Sequence, residues 1–218
     1  MEIRLEHIKK IYAHGNRKLK VLDDVTMNIP SGNFFVIEGP SGSGKSTLLG
    51  IIAGLIPPTS GTVSYDKEQI TGLDDNGKSV IRNLKTGIVM QDNTLVPYLT
   101  VYENVDLPNY IDSLKNKKSK SDNSLVIENL LDEVGLSELK NEFTENLSGG
   151  EIKRAAIARA LVREPELLIM DEPTANLDRD NVEKVLKLLR RMADKGRTVI
   201  IATHESEARK YSDTVVQL

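Results

Sequence analysis

The chain has 218 residues, of which 39% are hydrophobic and 28% are charged, as in an ordinary globular protein, and this length suits one α/β domain with or without a subdomain. Its formal net charge of −3 argues against a dedicated nucleic-acid-binding protein, which usually carries a basic surplus. The absence of cysteine excludes disulfides and thiolate metal sites and fits a reducing compartment, so we expect a cytoplasmic protein.

Membrane segments are not indicated by the apolar pattern. The longest apolar stretch, 48–56, has nine residues including two glycines, whereas about 18 or more are needed to span a bilayer. The N-terminus lacks the charged-then-apolar pattern of a secretory signal. Any association with a membrane is therefore expected to come through a partner.

The first part of the chain alternates polar and apolar residues as strands do. Strands are predicted at 3–8 and 21–29, the second ending at a Pro-Ser-Gly turn, which indicates an antiparallel start. A short buried strand is predicted at 34–37. Further strands are predicted at 61–65 and 86–90.

Residues 39–46 fit the pattern of a phosphate-binding P-loop. Its three glycines let the backbone curl so that several N–H groups face one concavity. The ammonium of Lys45 can reach β- and γ-phosphates, and the Ser46 hydroxyl can ligate Mg²⁺. The preceding strand and a helix predicted at 47–53 supply the strand-loop-helix setting. We therefore expect nucleotide binding, the alternative being a glycine-rich turn that only caps a helix.

The second half of the chain alternates helices and strands. The polar segment 114–122, with its four lysines, is predicted to be a surface loop. Helices are predicted at 124–134, 149–163 and 181–194, and strands at 167–170 and 198–202. This β-α-β alternation implies a parallel sheet with crossover helices.

Two carboxylates, Asp171 and Glu172, follow the predicted strand at 167–170. Ligands of open α/β sheets bind beyond the carboxyl ends of strands, so both side chains are expected to face the P-loop. Asp171 can help to hold Mg²⁺, and Glu172 can orient or deprotonate an attacking water. A strand that simply leaves the core is the alternative.

A third motif, 147–151, separates this chain from other P-loop proteins. Ser148 and Glu151 match the capping box of a helix start. Gly149 and Gly150 cost backbone entropy in a first turn, which makes sense if another surface approaches their amides. An open helix N-terminus is a second anion site, whereas capping alone is the simpler alternative.

Together these motifs resemble the nucleotide-binding subunit of an ABC transporter over essentially the whole chain. Six motifs stand in the family's order: Walker A at 39–46, the Q-loop at Gln91, the signature motif at 147–151, Walker B at 167–172, the D-loop at 175–178 and the switch histidine at His204. Tyr12 stands where the family places an aromatic residue that stacks on adenine.

The resemblance implies an α/β fold: a P-loop NTPase core with a mostly parallel sheet, an antiparallel β subdomain and an α-helical subdomain. It implies one domain over 1–218, with the core and antiparallel part in 1–91 and 160–218 and the helical subdomain at about 92–159.

The resemblance also implies ATP hydrolysis with ATP and Mg²⁺ as cofactors. The implied catalytic residues are Glu172, His204, Gln91 and Lys45, and the implied metal ligands are Ser46, Gln91 and Asp171. The implied nucleotide contacts are Tyr12, Gly39, Pro40, Ser41, Gly42, Ser43, Gly44, Lys45, Ser46, Thr47, Gln91, Ser148, Gly149, Gly150, Asp171, Asp178 and His204.

Four of these residues also have structural explanations. Tyr12 is alternatively a core residue at a strand end, and His204 a surface or core histidine whose hydrogen bonds are satisfied without a nucleotide. Gln91 is alternatively an ordinary polar residue at a strand terminus, and Asp178 the N-cap of the following helix.

The implied mechanism is an ATP-driven clamp of two copies. They pair head to tail about a two-fold axis, with each ATP between one copy's P-loop and the other's 148–150. ATP then favours the closed pair, and hydrolysis releases it.

The segment 95–108 resembles the part by which transporter ATPases dock on membrane subunits, especially in the group serving lipoprotein release, macrolide or peptide export and cell division. The expected docking surface is an exposed apolar patch at Tyr98 and Leu99; packing inside the helical subdomain is the alternative. The implied location is the inner face of the cell membrane, through an integral-membrane permease and without direct nucleic-acid contact.

Two features depart from the family's pattern. Glu151 stands where the family commonly has glutamine, which adds a carboxylate near the implied dimer interface. The chain also stops at Leu218 in a predicted strand, where relatives usually continue through a turn and another strand.

Two other functional classes compete with the transporter interpretation. A soluble ABC ATPase of DNA repair, chromosome structure or translation is disfavoured because only 55 residues separate Gln91 from Leu147, with no long heptad segment. A regulatory module without much turnover is disfavoured by the intact Lys45, Asp171, Glu172 and His204.

Overall fold

Two β-sheets, one antiparallel and one parallel, form the framework of the protein. The computed structural model describes residues 1–15, 17–91, 95–116 and 123–218. The strands are β1 Ile3–His14, β2 Arg17–Ile29, β3 Phe34–Glu38, β4 Ser60–Tyr65, β5 Glu68–Gln69, β6 Thr86–Val89, β7 Leu167–Asp171, β8 Thr198–Thr203 and β9 Thr214–Gln217. The α-helices are α1 Lys45–Ile52, α2 Asp75–Lys85, α3 Val101–Asn116, α4 Ser124–Glu133, α5 Gly149–Leu161 and α6 Arg179–Asp194, with 3-10 helices at Ser137–Leu139, Thr144–Asn146 and Ser206–Lys210.

The antiparallel sheet has the strand order β2-β1-β4-β5. Ile3 lies opposite Ile29 on one side and Tyr65 on the other. The predicted antiparallel start is confirmed, but β1 and β2 extend far beyond the predicted 3–8 and 21–29. Register shifts along β1 interrupt the alternation of polar and apolar residues, so the period-2 pattern ends before the strand does.

The parallel sheet has the strand order β6-β7-β8-β3-β9. All residues of β3, β7 and β8 are buried, as is typical of strands covered on both faces. The predicted parallel sheet with crossover helices is thus confirmed, as are the strands predicted within it. β8 lies between β7 and β3, although it is the last of the three in the chain.

Two hydrophobic clusters cover the faces of the parallel sheet. Phe34 and Val36 belong to the cluster with α3–α6, whereas Phe35 and Ile37 belong to the cluster with α1 and the antiparallel sheet. This follows from the alternation of side chains along a strand. Because Ile127 of α4 lies in the same cluster as Phe34, the helical region shares its core with the sheet; the subdomain boundaries near 92 and 159 stay a prediction.

The sequence pattern does not predict α2 or α3. Helix α2 is mostly polar, with Ile81 its only buried residue, and α3 contains Pro108, which normally disfavours a helix interior. The prediction of a loop at 114–122 is wrong at its start, since α3 continues to Asn116. The rest of the predicted loop, 117–122, lies outside the described residues. Among the described residues, no helix is long and apolar enough to cross a membrane.

Candidate active site

Three neighbouring parallel strands bring the predicted site residues to one edge of the sheet. β3 leads into the loop 39–44, β7 ends at Asp171, and β8 ends just before His204. Their carboxyl ends border a cleft of about 930 Å³. Of the predicted residues, its lining includes Ser41, Gly42, Gly44, Lys45, Ser46, Thr47, Gln91, Gly149, Asp171, Glu172 and His204. The structure thus places the P-loop and the two carboxylates where the sheet topology predicts them.

The loop 39–44 has the shape of an anion cradle. Gly42 and Gly44 adopt left-handed φ angles of 82° and 102°, which favour glycine. Gly44 is also the N-cap residue of α1, and a Cβ there would lie 2.9 Å from Leu22 Cδ2. Lys45 Nζ donates to the carbonyls of Gly39 and Pro40 at 2.7 and 3.0 Å. An ammonium and a helix N-terminus therefore meet at one concave loop.

Asp171 and Ser46 both present side-chain oxygen atoms to the cleft. Burial raises the pKa of Asp171 above its usual range, whereas a hydrogen bond from the Ser46 side chain and the charge of Lys45 act in the opposite direction. Asp171 Oδ2 is buried and has no hydrogen-bond partner among the described residues. The Ser46 hydroxyl and the unpaired Asp171 Oδ2 fit Mg²⁺, because this ion prefers oxygen ligands.

Glu172 is held at both ends of its main chain and at its side chain. It adopts a left-handed φ of 49°. Its N–H donates to the carbonyl of Ala202 at 2.8 Å, and its carbonyl accepts from Lys153 Nζ at 3.0 Å. Its Oε1 lies 3.0 Å from Nδ1 of His204, and this bond and the Glu172 charge raise the pKa of His204 above 6.5. Oε2 has no hydrogen-bond partner in the part of the chain that the structure describes.

The first turn of α5 forms another wall of the cleft. The predicted capping box is present: Ser148 Oγ accepts from the Glu151 N–H at 3.4 Å, and Glu151 Oε2 accepts from the Ser148 N–H at 2.7 Å. Glu151 therefore fills the capping role at its unusual position. Gly149 lines the cleft, whereas Ser148 and Gly150 are not among its lining residues.

The remaining predicted residues occupy varied positions. Tyr12 lies on β1 with its residue surface 38% exposed and Lys10 Nζ 4.9 Å from its ring centre, so it is no core residue; it does not line the cleft. Gln91 follows β6 and is exposed at the cleft. Asp178 is the N-cap of α6, accepting from the Asn181 N–H at 2.9 Å. Ser43 Oγ is buried without a partner among the described residues.

Two residues that sequence reasoning does not single out also line the cleft or shape its surroundings. Lys153 contributes to the cleft wall; the available signal is its spacing from Ala156 and Ile157, which puts it on the buried face of α5. Asn104 is fully buried and donates to the carbonyls of Val96 and Leu99 at 3.1 and 3.2 Å. It thereby fixes the loop that carries Tyr98.

Comparison with known proteins agrees with this geometry. A family profile described as ABC transporter matches residues 22–175. The chain is 38% identical over 220 residues to an uncharacterized ABC transporter ATP-binding protein of Methanocaldococcus jannaschii, covering 99% of this chain and 95% of the relative. It is 40% identical over 204 residues to the lipoprotein-releasing system ATP-binding protein LolD of Saccharophagus degradans, covering 93% of this chain and 88% of LolD.

Solved structures give the same result. The dimeric ABC transporter cassette MJ0796, described as bacterial, superposes with a TM-score of 0.93 at 36% identity, covering 99% of this chain and 94% of the cassette. A dimeric post-hydrolysis state of that cassette, bound to ADP and Pi, superposes with a TM-score of 0.91 at 36% identity and the same coverage. With its phosphate loop, its paired carboxylates and these matches, the chain belongs to the ABC transporter family, as an ATP-binding cassette.

Proposed function

We propose that this ATPase powers an ABC transporter of the export or lipoprotein-release type, by closing as a dimer on ATP while docked on an integral-membrane permease. The observation that carries the ATPase part of the proposal is the meeting of Lys45, Asp171 and Glu172 at one edge of the parallel sheet, and the similarity to LolD supports the lipoprotein-release part. ATP and Mg²⁺ are the cofactors of the family's ATPase reaction.

Phosphate binding is assigned to the loop 39–47. Its N–H groups and the Lys45 ammonium bind the phosphates and stabilise the negative charge that develops during transfer. Ser46, Asp171 and Gln91 would hold Mg²⁺, which would supply positive charge to the phosphates. Tyr12, on the exposed face of β1, is the proposed contact for the adenine ring.

Positioning of the attacking water is assigned to Glu172 and His204. The contact with His204 engages Oε1 of Glu172. Oε2 therefore remains to accept a proton or a hydrogen bond from the water, since the described residues offer it no partner. Water activation and phosphate binding are thus carried by different strands of one sheet.

Dimer closure is assigned to the first turn of α5. A Cβ added at Gly149 would meet nothing within 4 Å, so the packing of this chain alone does not require glycine there. A second copy that brings a phosphate to these N–H groups explains the glycine, because a side chain would block the close approach. The dimeric state of the MJ0796 cassette supports this assignment. Asp178, which directly follows Leu177, the neighbour of Gly150, would contact the partner.

Docking on the permease is assigned to the surface around Tyr98. The Tyr98 residue surface is 83% exposed, and Leu99 is half-buried, so the core-packing alternative does not apply to Tyr98. A groove of about 470 Å³ is lined by apolar residues such as Leu107 and Ile111 and by Arg82, Arg159 and Arg163. We assign to this surface an apolar segment of the permease, because the exposed Tyr98 and the groove residues Leu107 and Ile111 offer it apolar contacts. The protein would thereby be held at the inner face of the membrane.

Two measurements test the proposal. The variant Glu172→Gln with ATP and Mg²⁺ should elute as a dimer in size exclusion with light scattering, whereas Lys45→Ala in the same background should stay monomeric. In mild detergent, the wild-type chain should retain an integral-membrane protein that Tyr98→Ser loses. Absence of an ATP-dependent dimer contradicts the clamp, and recovery without any membrane protein favours a soluble ABC ATPase.

A further inference from the structure

Lys153 is a buried lysine at the boundary between α5 and the catalytic edge of the sheet. Its residue surface is 5% exposed, and it lies four residues after Gly149 in the same helix. The ammonium donates to the main-chain carbonyl of Glu172 at 3.0 Å, and the negative charges of Asp171 and Glu172 act on it. One side chain thus joins the helix to the residue that carries the proposed general base.

The packing of α5 does not itself require a lysine at this position. The neighbouring buried residues of the helix are Ala155, Ala156 and Ile157, and an apolar side chain of similar length would fill the same space. Burying an ammonium costs free energy of desolvation, which lowers the pKa of Lys153. The hydrogen bond to Glu172 explains why a lysine occupies this position despite the cost of burying it.

The main chain of Glu172 needs such support. Its φ of 49° lies in the left-handed region, which strains a non-glycine residue. The N–H is held by Ala202 at 2.8 Å. On the carbonyl side, Lys153 at 3.0 Å and the N–H of Ala175 at 3.3 Å hold the peptide. These bonds set the direction in which the Glu172 side chain leaves the backbone.

We propose that Lys153 is a positioning residue for ATP hydrolysis: by holding the Glu172 carbonyl, it aims the carboxylate into the cleft and couples that aim to the position of α5. The inference rests on the proposed function of Glu172. Gly149 and Lys153 are separated by about 6 Å along the helix axis, at 1.5 Å per residue. A shift of α5 when its first turn meets the partner's phosphate would therefore reach Glu172 through the hydrogen bond of Lys153 to its carbonyl.

The test uses the full chain and compares Lys153→Met, which removes the ammonium at similar size, with Lys153→Gln, which keeps an N–H donor. Lys195→Met, at an exposed lysine after α6, is the matched control. Steady-state phosphate release should show kcat reduced about tenfold to a hundredfold in Lys153→Met, the range typical of a displaced catalytic group. Affinity for a fluorescent ATP analogue should stay within about twofold of wild type, and Lys153→Gln should recover part of kcat. Lys153→Leu replaces Lys153→Met if the latter does not fold.

A double-mutant cycle with Glu172→Gln identifies the group through which Lys153 acts. If Lys153 positions Glu172, adding Lys153→Met to Glu172→Gln should cause little further loss in single-turnover hydrolysis. A full additional loss, or a large fall in nucleotide affinity, would show that Lys153 acts directly on phosphate and would overturn the inference. Unchanged kcat in Lys153→Met beside an inactive Glu172→Gln would also overturn it, whereas full activity in Glu172→Gln would reject the proposed function itself.

Discussion

Nδ1 of His204 lies 3.0 Å from Oε1 of Glu172, and this contact joins the ends of the neighbouring parallel strands β8 and β7. The imidazole is mostly exposed, so it can exchange protons with solvent while remaining bound to the carboxylate. The pair therefore combines an accessible titrating group with a carboxylate that is nearly enclosed.

The pKa of His204 is expected to lie above 6.5 because the Glu172 hydrogen bond and charge favour the imidazolium. The stabilisation by this contact is complete below 6.5 and is lost as the pH rises through the folded-state pKa. An NMR titration of the nucleotide-free protein with EDTA should show this shift. Glu172→Gln should move the midpoint back toward 6.5, and an unchanged midpoint would contradict the contact.

Lys45→Ala should weaken binding of ATP·Mg²⁺ by about tenfold to a hundredfold, because a hydrogen bond to a charged group contributes about 1.5–3 kcal/mol. Isothermal titration calorimetry measures the change directly. Lys195→Ala, which removes an exposed lysine far along the chain, serves as the control. Equal affinities of Lys45→Ala and wild type would remove the loop from its role in phosphate binding.

Gly149→Asp and Gly149→Ala should have different effects. The open space around Gly149 accommodates a Cβ, so both variants should fold and bind ATP as monomers. In the Glu172→Gln background, Gly149→Asp should prevent the ATP-dependent dimer, since its carboxylate would repel phosphate in the interface. Analytical ultracentrifugation with ATP gives the readout. Gly149→Ala, whose added methyl group is small and uncharged, should weaken the dimer but less than Gly149→Asp does. A normal dimer in Gly149→Asp would reject the role assigned to this turn.

Arg209→Met should destabilise the protein, because it removes hydrogen bonds to a carboxylate. Arg209 Nε donates to Glu38 Oε1 at 2.6 Å, and a second guanidinium nitrogen donates to Oε2. Glu38 is buried and directly precedes the phosphate loop, whereas Arg209 is more than half exposed, which moderates the expected effect. Urea unfolding at pH 7 measures the loss, with Lys210→Met as the control.

The same ion pair predicts a dependence on pH. The Arg209 hydrogen bond is the main reason why the pKa of Glu38 lies below 4.5. A lowered folded-state pKa means that stabilisation is present above 4.5 and is lost as the pH falls through the folded value. The difference in unfolding free energy between wild type and Arg209→Met should therefore shrink in acid. A constant difference down to acidic pH would contradict this account.

Contiguous motifs made much of the site predictable. The loop 39–46 and the Asp171–Glu172 pair each occupy one short segment, and the rule for carboxyl ends of parallel strands brings them together. The capping box of Ser148 and Glu151 is equally local and was predictable for the same reason. The assignment of individual nucleotide contacts stays a prediction.

Features that depend on tertiary packing were not predictable in this way. Lys153 meets the Glu172 carbonyl across 19 residues of sequence, and no periodicity encodes that distance. Helix α2 has a strongly polar composition, and Pro108 in α3 indicates a helix end where the structure continues the helix. In α3, burial of Val101 and Val105 in the core outweighs the local preference.

The central place of β8 affects how the protein is made. Its neighbours β3 and β7 carry the phosphate loop and the carboxylates, but they are joined through β8, which begins only at Thr198. A ribosome-bound chain can therefore contain every residue of both motifs and still lack the strand that sets them side by side. Nucleotide binding should appear only after the last strands of the sheet leave the exit tunnel, so incomplete chains would not compete for ATP.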